Sequence, residues 1–183
     1  LELGNQRPPV SQWTVTGAGS CVISCEGEGP RITMATFGKV IDWGIVDVNN
    51  MGAAMAPSCA STLLAHFENT KTSPDDYDLI ATGDLGKLGS EILIDLMEDK
   101  GIKLGLNYCD CGQMYYKRNQ NTLCGGSGCG CSATVFNSYI MKKLKSGKLK
   151  KVLFMPTGAL LSTTATQQGE SIPGVCHAIV CES

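Results

Sequence analysis

Residues Cys124 to Ala133 read CGGSGCGCSA, and the reading of this stretch decides how the rest of the chain is placed. Four glycines stand among three cysteines and two serines, and the pattern turns helical immediately afterwards. Phe136, Tyr139, Ile140 and Leu144 recur at the spacing of one helix face. Ser127 or Ser132 is the expected cap, since a hydroxyl takes up an unpaired N–H of the first turn. Glycine admits positive φ and lets the backbone come close to a ligand. Free N–H groups and the positive end of a helix dipole favour an anion at such a place. No Gly-Lys-Ser/Thr follows, so the loop is not a P-loop. The competing reading is a tight turn that packs a helix on a sheet and binds nothing.

Working outward, Lys151–Met155 (KVLFM) and Tyr77–Ala81 (YDLIA) read as short buried strands, the second with the loop Gly83-Asp84-Leu85-Gly86 at its carboxyl end. A helix is expected from about Lys87 to Lys100, with Leu88, Ile92, Leu96 and Met97 on one face and Gly101 as its stop. Another runs from a cap at Asn49 or Asn50 to about Glu68, kinked or started by Pro57. Nearer the start, residues 1–12 carry Pro8 and Pro9 and read as an extended lead-in. Trp13–Ile23, broken at Gly17 and Gly19, and Arg31–Phe37 read as two strands of a hairpin across a Gly27–Pro30 turn, and Lys39–Trp43 extends the sheet. Residues 103–123 read as irregular, residues 157–174 as a long loop, and Val175–Glu182 as the last strand. Strands alternate with helices, so the fold class is α/β, and loops at strand ends are where such folds bind ligands.

With 183 residues the chain suffices for one substantial core or two small subdomains. A net charge of −2 and few aromatics give no support for nucleic-acid binding, which wants a basic face. No apolar run approaches the roughly 18 residues that span a bilayer. The chain opens on Leu1 rather than an initiator methionine and reads as a piece of a longer protein. Lys142–Lys151 (KKLKSGKLKK) holds six lysines, which suit a helix end and a solvated turn; the other reading is a weak patch for an anionic membrane surface. Ten cysteines without a secretory signal read as reduced thiols in the core. Cys109, Cys111, Cys124, Cys129 and Cys131 show C-x-C rather than C-x2-C spacing with no histidine beside them, so no structural metal is expected.

Three stretches taken together carry a resemblance: TVTGAGSCVI from Thr14, TGDLG from Thr82, and GGSGCGCSA from Gly125 before a helix. GALLS from Gly158 and QQGESIPGVCHAIV from Gln167 strengthen it. As a set they resemble the stage V sporulation proteins of the thiolase-like superfamily. That resemblance implies two related halves, each a sheet flanked by helices, stacked as αβαβα layers. Residues 1–45 would be the end of the first half with a connector, and 46–183 the second half. The first half, with the family's nucleophilic cysteine, would lie outside this chain, and an apolar sheet face would be left exposed.

Acyl transfer in the superfamily needs a thiolate, a histidine, and a second histidine or asparagine that polarise a thioester carbonyl and handle protons. At the first histidine's place the chain has Asp84, which cannot donate to a carbonyl oxygen unless protonated. At the second, around Gly128-Cys129, neither asparagine nor histidine occurs. Of the two histidines, His66 reads as solvated at a helix end, and His177 sits in the final strand, where a core partner and a ligand contact are equally open. Cys129 or Cys131, at a helix N-terminus, is expected to have a lowered thiol pKa, but lacks a base. No catalytic residue is therefore named.

The resemblance implies instead a binder of dipicolinic acid (pyridine-2,6-dicarboxylate), required for its uptake into the developing spore. The ligand-binding residues it points to are Asp84, Lys87, Gly128, Cys129, Ser132, Ser162, Ser171 and His177. A flat dianion suits the glycine loop, Lys87 offers a charge-assisted bond, and the serines offer hydroxyls. Asp84 would repel a bare carboxylate, so it binds through calcium, backs another residue, or lies outside the pocket. Calcium accompanying dipicolinate is the only cofactor in view. The implied partners are other stage V sporulation A proteins at the spore inner membrane, where the protein would sit peripherally, and a second copy of itself. A condensing acyltransferase acting on acyl thioesters and an assembly protein without ligand are the other readings.

Overall fold

The computed structural model describes residues 7–183, so the first half of the lead-in lies outside the described residues. Its centre is a five-stranded sheet built on β3 (Leu79–Thr82) and β6 (Lys151–Met155), which run parallel. β4 (Tyr108–Asp110) adds in parallel to β3, while β9 (Ala178–Glu182) and then β2 (Arg31–Thr36) add antiparallel on the other side. The spatial order is β2-β9-β6-β3-β4. Because side chains alternate along a strand, each central strand feeds two cores. Ile80, Leu153, Met155 and Val180 point to one, against α1 (Met51–Thr70) and α2 (Gly86–Glu98). Ala81, Val152, Phe154 and Cys181 point to the other, against α4 (Cys129–Val135) and α5 (Met141–Lys145). A strand buried on both faces has no polar alternation, which is why KVLFM is continuously apolar.

α1 begins where Asn50 accepts from the Ala53 N–H at 3.2 Å, so Pro57 lies inside the helix and does not start it. It meets α2 at a glycine contact: a Cβ on Gly89 would come within 2.7 Å of Gly52 Cα. α2 ends just before Gly101, which takes φ +74°. A π-helical turn, Phe136–Ile140, joins α4 to α5.

Several expectations are corrected. The hairpin does not form: β1 is only Trp13–Thr14 and pairs in parallel with β5 (Gly126–Ser127), while β2 pairs with β9. The glycine pair serves packing instead, since a Cβ on Gly19 would lie 2.2 Å from the Ala133 carbonyl oxygen of α4. Residues 39–43 contribute one bridge, Ile41 to Gly174, and no strand. Residues 103–123 hold β4 and α3 (Cys111–Tyr115). The expected long loop holds β7 (Thr157–Ala159), α6 (Thr163–Gln167) and the start of β8 (Gly174–Cys176), and β8 pairs with β7 rather than continuing into β9. Exposed apolar side chains concentrate between residues 22 and 48, with Phe37 88% and Trp43 56% exposed, and include Ile32 on the edge strand β2, whereas the inner strands β3 and β6 pack side chains into a core on each face. His66 is fully buried, between the Thr36 hydroxyl and the Tyr77 hydroxyl, each at 2.7 Å, and burial lowers its pKa.

Candidate functional site

The glycine loop is held open by its neighbours in the sheet layer. The Trp13 N–H donates to the Gly125 carbonyl and the Val15 N–H to the Ser127 carbonyl, both at 2.8 Å. Gly128 then turns the chain into α4 with φ +101°, a value that disfavours any side chain. Gly128 is itself the N-cap, and neither Ser127 nor Ser132 caps the helix. Ser127 is engaged elsewhere: its hydroxyl donates to Asp84 Oδ2 at 2.9 Å.

Asp84 sits just beyond β3, only 8% exposed, and its carboxylate gathers three segments. Oδ2 also accepts from the Gly128 N–H at 2.9 Å, and Oδ1 accepts from the Thr157 hydroxyl at 2.8 Å. The loop after β3, the glycine loop and β7 are thus tied at one point. A second acid that sequence reading missed stands beside it. Asp110, 1% exposed, caps α3 by accepting from the Gln113 N–H at 3.2 Å. It also accepts from the Thr82 hydroxyl at 2.8 Å and from the Leu85 and Gly86 N–H groups at 2.9 Å each. Burial pushes its pKa up to about 6 against those donors, and the Asp84 charge adds to the rise. The signal was present: Asp110 followed three residues later by Gln113 is a helix-start pattern.

Beside this knot lies a groove of about 660 Å³. Arg7, Ser11 and Gln12 of the lead-in form one wall, and Ser127 and Gly128 part of the floor. Asn49 and Met51 at the start of α1, with Thr163 and Gln167 of α6, form the opposite side. Gln12 fastens the wall to the floor, its amide donating to the Asp84 and Gly126 carbonyls at 2.9 Å. Arg7 is the one charged side chain among the described lining residues.

Of the site residues named from sequence, Gly128 lines this groove and Asp84 anchors it. Cys129 and Ser132 follow in α4, Cys129 exposed and Ser132 half-buried. Ser162 caps α6 by accepting from the Ala165 N–H at 3.4 Å, next to the lining residues Leu161 and Thr163. The others lie elsewhere. Lys87 is exposed in the first turn of α2, and its N–H donates to the Cys124 carbonyl. The Ser171 hydroxyl donates to Asp42, holding that carboxyl below its usual range. His177 is exposed between β8 and β9 and accepts from the Gly38 N–H at 3.0 Å. Its neighbour Cys176 is bonded to Thr62 of α1, and helix rise puts Thr62 about 16 Å from Met51 in the groove. The expected lowering at Cys131 is reversed: burial pushes that thiol up to about 12, with Asp84 and Asp110 adding to it.

All ten cysteines carry free thiols. Among the described residues no three His, Cys, Asp or Glu side chains come together to hold a metal ion. Among the described residues no helix is long and apolar enough to cross a membrane.

Comparison with known proteins bears on the chain as a whole. The family described as Stage V sporulation protein AD (SpoVAD) matches residues 1–182. Stage V sporulation protein AD of Bacillus subtilis (strain 168) is 48% identical over 181 residues, covering 99% of this chain and 54% of the relative. The chain thus spans about half the length of the curated relative it matches. A crystal structure of the Bacillus anthracis acetyl-CoA acetyltransferase covers 85% of this chain and 31% of its own, with TM-score 0.43 and 16% identity, too distant to bear on substrate or mechanism. The extent and identity of the match mean that this chain belongs to the stage V sporulation protein AD family.

Proposed function

We propose that the groove binds dipicolinic acid, and that the protein serves the uptake of this ligand into the developing spore without acyl transfer. In this reading residues 1–45 close the first half of a thiolase-like protein and 46–183 form its second half. The observation that carries it is the engagement of Asp84: with its oxygens taken by Ser127, Gly128 and Thr157, the groove wall presents hydroxyls, amides and one guanidinium. A cleft of that lining and size suits a small anion with an apolar body, for which Met51 and Leu161 supply contact. The acyl-transfer reading finds no imidazole in the groove, since His66 is locked in the core and His177 lies away from it. Calcium accompanies the ligand in this proposal, and other stage V sporulation A proteins, a spore inner membrane and a second copy are its surroundings.

The test is an equilibrium titration of the full-length protein with dipicolinate, with and without calcium, read by tryptophan fluorescence. Saturable binding with no turnover of acyl thioesters supports the proposal. Absence of binding at millimolar ligand, or a covalent acyl adduct by mass spectrometry, overturns it.

A further inference from the structure

The lysine run Lys142–Lys151 takes no part in the groove, and its setting in the chain is one-sided. No aspartate or glutamate occurs between Asp110 and Glu170, yet that stretch carries eight of the 15 lysines and arginines. A chain of net charge −2 thus keeps one basic region free of acids. Six of the eight fall where α5 ends, the chain turns at Gly147 with φ +67°, and β6 begins. Backbone bonds fix the turn: the Ser146 N–H donates to the Lys142 carbonyl at 3.1 Å, and the Lys148 N–H to the Lys143 carbonyl at 3.0 Å. Leu144 is buried and Leu149 packs against the same core, which leaves Lys142, Lys145, Lys148 and Lys150 exposed around them. The other two lysines are engaged, Lys151 with Glu182 at 3.7 Å and Lys143 over the Tyr139 ring at 4.4 Å. Asp78 faces the turn, one oxygen accepting from the Lys150 and Lys151 N–H groups at 2.6 and 2.9 Å. The four exposed ammonium groups form no ion pair among the described residues.

Cations suit a helix C-terminus, but that field fades within a turn and does not account for Lys148 and Lys150 beyond it. Like charges held side by side repel one another, and an anionic surface removes that cost. Lysine is a point charge without the fork that reads a single phosphate or carboxylate. The four lysines line neither the groove nor the smaller one of about 350 Å³ beside α4, so a surface of many charges suits them better than a small anion. Nucleic acid wants free aromatic rings among the charges for stacking, whereas the ring in this region, Tyr139, lies under Lys143. Tyrosine beside lysine is instead the pairing found at the level of lipid headgroups. We propose that Lys142, Lys145, Lys148 and Lys150 form a docking face for an anionic phospholipid surface. Asp75 and Asp76 after α1, and Glu98 and Asp99 at the end of α2, follow the helices of the layer across the sheet, which keeps this face basic. Because β3, β4 and β6 run parallel, the turn that enters β6 lies at the end of the sheet opposite Asp84 and Gly128. The strand between them is roughly 16 Å long, so a protein docked by these lysines holds its groove clear of the bilayer. The inference rests on charge and not on what the groove binds; it names the residues by which the protein would meet the membrane of the reading above.

The experiment is co-sedimentation of the full-length protein, without dipicolinate, on phosphatidylcholine vesicles with and without about 30% phosphatidylserine. Wild type should bind the anionic vesicles at least about tenfold better than the neutral ones, and the difference should collapse as salt rises from about 0.05 to about 0.5 M. Two double variants then remove equal charge. Lys148→Gln with Lys150→Gln should weaken anionic binding by about fivefold or more, since each lysine at such a surface is worth about fivefold. Lys39→Gln with Lys87→Gln, both exposed and outside the run, should weaken it by less than about twofold. Equal binding of wild type to the two kinds of vesicle overturns the proposal, as does equal loss in two double variants that melt like wild type. Lysine-dependent binding to single-stranded RNA with none to vesicles overturns it as well. Dipicolinate titration of the same samples reads the groove separately, so either reading can fail while the other stands.

Discussion

Asp84 and Asp110 stand at the carboxyl ends of neighbouring parallel strands, and both are buried acids, but they hold different things together. Asp110 accepts four donors, and the groups it binds are the end of β3 and the starts of α2 and α3. Asp84 accepts three, and the groups it binds are the floor of the groove and β7. One acid secures the scaffold and the other shapes the site. The difference teaches that burial alone does not mark a functional acid. What each carboxylate gathers does.

The comparison breaks most sharply on removal. Asp110→Ala strands four donors, and should cost on the order of 3–5 kcal/mol in denaturant unfolding. If Asp84→Ala cost more, the assignment of roles would be reversed. Titration sharpens the contrast next. Burial lifts Asp110 to about 6, above the roughly 3.9 of an unfolded chain. The folded state therefore holds that proton more tightly, so its stabilising contribution is complete below about pH 4 and is lost as pH rises through 6. Relative to Asp110→Asn, wild type should lose roughly 2–3 kcal/mol between those limits, measured as the difference between two pH–stability curves. Asp84→Ala follows, with an expected loss of about 2 kcal/mol in stability and at least about tenfold in dipicolinate affinity, because the floor comes loose. A variant that melts early but binds normally would separate Asp84 from the site. The smallest effect is reserved for Lys87→Ala. This exposed side chain should change stability by less than about 0.5 kcal/mol and affinity by less than about twofold.

Much of the scaffold was legible because it is local. KVLFM, the helix face from Leu88 to Met97, and the Asn50 cap each write their conformation within a few residues. Gly128 was legible for the same reason, as part of a run that only a tight turn explains. What failed was structure decided at a distance. Gly17 and Gly19 look like breaks in a strand, whereas they are contact points for α4, more than a hundred residues on. β4 is three residues long and too short to show a period, and the residue that secures it, Asp110, is recognisable only as a cap. His66 carries the polar look of a helix end, but Tyr77 and Thr36 close over it from other elements. The groove had no local signature, since its lining comes from segments far apart in sequence, among them the lead-in, the glycine loop that pairs with β1, and α6.

That pairing sets an order of events. Gln12 reaches Gly126 across 114 positions, and Asp84 reaches Thr157 across 73. Loop-closure entropy must be met before such contacts return anything, so they form after the local helices and the β3–β6 pair. The wall, the floor and the knot of the groove are all made of these long closures. The groove is thus among the last features to take shape as the chain folds, and ligand, by binding only the finished form, would act as a late lock on the native state.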